Sequence, residues 1–94
     1  MATRDRRRPA PDVRVKYWFD FGFASLDRAS RNAEAGDCER ALEDLSFAHF
    51  SRGQAASFGE KATSTTENTR LRVLFQATDR DAKATFWRRC GKVG

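Results

Sequence analysis

Hydrophobic positions along the chain fall into three blocks, each readable as an amphipathic segment. From Lys16 a helical stripe runs Phe19, Phe23, Leu26, Ala29, Ser30 and Ala33. Strict alternation over the same stretch, with Val13, Val15, Tyr17, Phe19, Phe21 and Phe23 on one side, is the competing period of a half-buried strand. The helical stripe continues unbroken to Ala33, so a helix from about Tyr17 is the favoured reading. Gly22 inside it costs about 1 kcal/mol relative to alanine unless a neighbouring helix needs the space.

Ala35-Gly36-Asp37 punctuates the chain. Glycine suits the left-handed position after a helix, and aspartate suits the N-cap of the next one. So short a connection gives an antiparallel pair. A second helix is expected from Cys38 to about Phe58, ended by Gly59. Its main stripe is Cys38, Ala41, Leu42, Leu45, Ala48 and His49, expected to face the first helix. Phe47, Phe50, Gln54 and Phe58 form a second stripe, which requires a second neighbour.

Residues 60–66 read as a polar linker, and Ser64-Thr65-Thr66-Glu67 as a capping box. Leu71, Leu74, Phe75, Thr78, Ala82 and Phe86 then form the stripe of a third helix, with Asp79-Arg80-Asp81 a candidate break and Gly91 its end. The expected fold is all-α: an antiparallel helical hairpin plus a C-terminal helix. The alternative is α+β, with residues 13–23 and 69–78 as strands, favoured locally by Thr69, Val73 and Thr78. The domain is placed at residues 13–90, between a disordered basic tail over 1–12 and a frayed end over 91–94.

The stretch Ala33-Glu34-Ala35-Gly36-Asp37-Cys38-Glu39-Arg40-Ala41-Leu42-Glu43-Asp44-Leu45-Ser46-Phe47-Ala48 resembles one tetratricopeptide-type helical hairpin. The shared pattern is Gly-Asp, three residues, Ala-Leu, two residues, Leu, two residues, Ala, with Ala29 matching the family's small residue in the first helix. Arg28 departs from the large residue expected just before it, and no second copy follows. The resemblance implies a tight hairpin and leans toward peptide or protein binding. The overall layout also looks like the small helical regulators of mobile elements and phages, including antiactivators and anti-CRISPR proteins.

Charge is segregated along the 94 residues. Residues 1–19 carry six Lys/Arg against two acids, a net +4; residues 20–68 carry five against nine, a net −4; residues 69–94 carry seven against two, a net +5. Basic termini flank an acidic hairpin, so the overall +5 does not describe one basic surface. No run approaches the ~20 apolar residues of a membrane span, and the N-terminus lacks an apolar signal segment. Two cysteines are too few for a secreted disulfide scaffold, which reads as a reducing, cytoplasmic setting.

Catalytic chemistry has few candidates. His49 is the sole histidine. Cys38 precedes it on the same expected helix by roughly 16 Å, beyond hydrogen-bond reach. One histidine and two distant cysteines make no tetrahedral metal set, and the neighbouring Glu39, Glu43 and Asp44 read as a solvated acidic face. Neither an enzyme nor a cofactor is expected. Eleven aromatic residues are more than a core of this size readily encloses. Trp18, Phe21, Phe47, Phe50, Phe58 and Trp87 are therefore the candidate protein-binding residues, because large rings dominate binding hot spots. A homodimer would use the same surface. The alternative partner is nucleic acid, with Arg4, Arg6, Arg7, Arg8, Arg88, Arg89 and Lys92 contacting phosphates.

Overall fold

The computed structural model describes residues 10–60 and 65–91. It is all-α: α1 spans Pro11–Glu34, α2 Cys38–Gly59 and α3 Thr65–Cys90. The helices run up, down and up in a body 57 Å long and 24 by 17 Å across. Segments 13–23 and 69–78 are helical throughout, which removes the strand alternative.

α1 begins six residues before the expected Tyr17. Ala10 is extended, at φ −60° and ψ 153°, as the residue before a proline must be, and Pro11 opens the helix. Proline is tolerated there because a first-turn amide has no helical partner to lose. Pro11 and Asp12, assigned to the tail by sequence, thus belong to the helix. Residues 1–9, 61–64 and 92–94 lie outside the described residues, as do the expectations of a disordered tail, a capping box begun by Ser64 and a frayed end.

The turn between α1 and α2 forms as its residues dictate. Gly36 has φ +85°. Its amide donates to the Ala33 carbonyl at 3.0 Å, and the Asp37 amide donates to the Asn32 carbonyl at 2.8 Å. These two bonds are the Schellman closure of a helix C-terminus. The Asp37 side chain then accepts from the Arg40 amide at 3.3 Å, capping α2.

The buried seam of the hairpin is made of small residues. α1 contributes Gly22, Ser25, Ala29 and Ala33, and α2 contributes Ala41, Asp44, Ala48, Ser51 and Ala55. Small side chains let two helices approach closely along their whole length. This corrects the expected α2 stripe: Ala41 and Ala48 face α1, but Leu42 and His49 are exposed and Leu45 is half-buried. Leucine at position 42 would hold the helices apart, so it rides at the edge.

Asp44 is a second correction. It is buried, not part of a solvated face. It accepts from Asn32 Nδ2 at 2.8 Å and from Arg28 Nε at 3.5 Å. Arg28 also donates to Ser25 Oγ at 3.1 Å. The departure at Arg28 from the tetratricopeptide pattern therefore supplies a polar tie across the hairpin.

α3 packs mainly on α1 and touches α2 sparsely. Its anchor is Phe75, buried against Phe19 and Phe23 with ring centroids 5.7 and 5.3 Å apart. Ala82 is buried too, Leu71 and Phe86 are half-buried, and Leu74, expected inward, is exposed. Asp79-Arg80-Asp81 does not break the helix, and Asp79 pairs with Lys83 at 3.0 Å.

The up–down–up path brings the start of α2 and the end of α3 to the same end of the bundle. Cys38 and Cys90, 52 residues apart, lie there with Cα atoms 5.8 Å apart and are joined in a disulfide. Treating them as two unrelated thiols is thus corrected; their proximity is a tertiary fact that spacing cannot show. Closing a loop of this length restrains the unfolded chain by about 4 kcal/mol in the chain-entropy account.

Candidate protein-binding face

Once α3 covers the side of α1 bearing Phe19 and Phe23, the side bearing Trp18 and Phe21 remains open. Trp18 is the hub there. Its ring lies 5.1 Å from Tyr17, 5.8 Å from Phe21 and 5.7 Å from Phe50 of α2, each contact edge-to-face. That geometry sets the positive edge of one ring against the negative face of the next. Trp18 also packs against the main core, so the cluster is rooted rather than floating.

Exposure is high around that hub. Tyr17 is 58% exposed, Phe50 55% and Phe47 50%. Phe47 and Phe50 are three residues apart, and Phe47 falls between Gln54 and Phe58 in helical phase, so all four share one side of α2. The tight seam explains why. Large side chains excluded from the α1–α2 contact are pushed to its flank, and α3 covers only the opposite flank.

A groove of 420 Å³ continues the face toward the start of α1, lined by Val13, Arg14, Tyr17, Trp18, Gln54 and Phe58. The Arg14 guanidinium sits 5.0 Å from the Phe58 ring centroid, in cation–π range. The groove therefore has apolar walls with one cationic and one amide group at its rim.

Five of the six expected binding residues, Trp18, Phe21, Phe47, Phe50 and Phe58, lie on this face. Trp87 does not. It is 65% exposed and lines a separate groove of 350 Å³ between α2 and α3, with Leu42, Leu45, Ser46, His49, Lys83 and Phe86. Val13, Arg14 and Tyr17 were not among the expected binding residues, and Gln54 was placed on the second α2 stripe without a binding role. The signal was present: starting the helix at Pro11 sets Val13, Tyr17 and Phe21 at four-residue steps.

Of the candidate phosphate-contacting residues, Arg88 and Arg89 are described. Both reach Glu34 at the end of α1, Arg88 Nη2 at 3.4 Å and Arg89 Nη2 at 2.7 Å. Arg4, Arg6, Arg7, Arg8 and Lys92 lie outside the described residues. Among the described residues no three His, Cys, Asp or Glu side chains gather as a metal site, and no helix is long and apolar enough to cross a membrane. No family model matches the chain, and comparison with curated proteins and with solved structures finds no match.

Proposed function

We propose that this chain is a small non-enzymatic regulatory protein that binds another protein through the aromatic face of its helical hairpin, and inhibits that partner by occupying it. The observation carrying this reading is the Trp18 cluster: rings preorganised by edge-to-face contacts yet half exposed, beside a groove with a cationic rim. Ordered rings lose little entropy on binding, so their burial converts efficiently into affinity. The partner segment that fits is an apolar side chain flanked by an acid: the first for the groove, the second for Arg14. The tetratricopeptide-like hairpin leans the same way, and an antiactivator or anti-CRISPR-like role is one form such inhibition takes. In a reducing cytoplasm, where such regulators act, the Cys38–Cys90 pair would be open unless oxidised, because cytosolic thiols are kept reduced.

Affinity capture from the native host with the wild type and with Phe50→Ala tests this reading, each run with and without nuclease. The reading expects a protein retained by the wild type, resistant to nuclease and lost with the variant. A partner that disappears with nuclease and ignores Phe50→Ala would instead support an accessory nucleic-acid role for the basic termini. Sedimentation of the purified protein reads a third outcome, a homodimer through the same face.

A further inference from the structure

The two ends of α3 are held by different means. Its first two-thirds are anchored by Phe75, wedged against Phe19 and Phe23, with Leu71 and Ala82 on the same core. Beyond Ala82 the only buried residue of α3 is Cys90. Around it the core consists of Ala33 and Ala41, with Cys38 and Phe86 half-buried beside them. Two alanine side chains and one face of the half-buried Phe86 offer little apolar area, so the sulfur atoms supply much of the packing there. The ion pairs of Arg88 and Arg89 with Glu34 are solvent-exposed, their arginine side chains 60% and 53% exposed, and such pairs hold weakly.

We propose that the Cys38–Cys90 disulfide is a redox-operated latch: closed, it holds the last turns of α3 on the hairpin; reduced, it releases residues 83–90 while the rest of the bundle stays folded. Opening uncovers Ala33, Ala41 and the inner face of Phe86. The co-reactant is a dithiol. Cys90 is 4% exposed and Cys38 is half-buried, so access directs attack to Cys38. The attacking thiolate forms a bond to Cys38 Sγ, the Cys38–Cys90 bond breaks, and Cys90 leaves as a thiolate that takes a proton from water. The second thiol of the reductant then displaces Cys38 as thiolate and closes its own disulfide. Two electrons pass to the protein, and both cysteines end as thiols.

The latch is independent of the docking reading. It sits at the turn end of the bundle, on the side opposite the Trp18 cluster, and its test involves no partner.

Hydrogen–deuterium exchange on the full chain, before and after dithiothreitol, is the test, with intact mass confirming the gain of two hydrogen atoms. The latch predicts exchange over 83–90 accelerated by roughly tenfold or more, unchanged protection over 19–26, 44–55 and 71–82, and recovery on reoxidation. Cys38→Ser should show the reduced pattern without any reductant. Unchanged exchange over 83–90 would overturn the proposal, since packing alone would then hold the helix end. Loss of protection throughout all three helices, or a Cys38→Ser variant that does not fold, would also overturn it, by making the bond a staple of the whole fold. Two titratable thiols in air-equilibrated protein would remove it at the first step.

Discussion

Phe75 lies directly over Gly22: a Cβ added to Gly22 would stand 2.5 Å from the Phe75 Cε2 atom, and 2.5 Å from Ser51 Oγ of α2. All three helices meet at this point, and the glycine is what lets them. Gly22→Ala should gain about 1 kcal/mol of helix propensity yet lose more to overpacking, which typically costs about 1–3 kcal/mol. A lower melting temperature than wild type is expected, at roughly 4–8 °C per net kcal/mol for a domain of this size. A rise would show that Phe75 moves aside freely.

Asp44 should behave as a buried tie rather than a surface acid. Asp44→Ala removes the acceptor of Asn32 and leaves that amide in a part-buried seam, which should cost about 1–3 kcal/mol in urea denaturation. The Arg28 contribution is discounted, because that side chain is 47% exposed. Glu43→Ala on the exposed neighbouring position should change stability little. Equal effects of the two substitutions would return Asp44 to the solvated face.

Gly36→Val should destabilise the hairpin, since a β-branched residue resists φ +85°. The left-handed conformation costs roughly 1–2 kcal/mol for a residue with a Cβ. Space is not the obstacle, because no heavy atom lies within 4 Å of where the Cβ would be. A melting temperature equal to wild type would contradict the backbone account.

Local signals carried the fold. Gly36-Asp37 fixes one turn through backbone conformation and capping, and both are properties of adjacent residues. Phe75 and Ala82 fall where helical periodicity puts them. Features that depend on distant neighbours were misread. Leu42 outranks Ala41 and Ser51 in hydrophobicity, so periodicity alone centres the stripe on leucine, whereas close approach of α1 rewards the smaller residues. Asp44 looked like one of three acids until Arg28 and Asn32 were placed beside it. The pairing of Cys38 with Cys90 depends on the up–down–up path.

The candidate face was legible for a related reason. Phe47 and Phe50 are out of phase with Ala41 and Ala48, so whatever packs on the alanines cannot also cover both rings, and both are exposed. Val13 and Tyr17 were missed because the helix was expected to begin only near Tyr17, with residues 1–12 as a tail, whereas Pro11 is a helix starter. Trp87 was grouped with the others by residue type alone; its helix places it on another groove.

The hairpin face as a docking surface is tested most directly by the dissociation constant of the captured partner for Phe50→Ala against wild type, taken at a temperature where both are folded. Phe50 is 55% exposed in the monomer, so its removal should change monomer stability far less than the ~3–5 kcal/mol typical of a core Phe→Ala such as Phe75→Ala. In a docked interface the same ring should contribute about 2 kcal/mol or more, so the dissociation constant should rise roughly thirtyfold. An unchanged dissociation constant, with the variant as stable as wild type, would contradict the account.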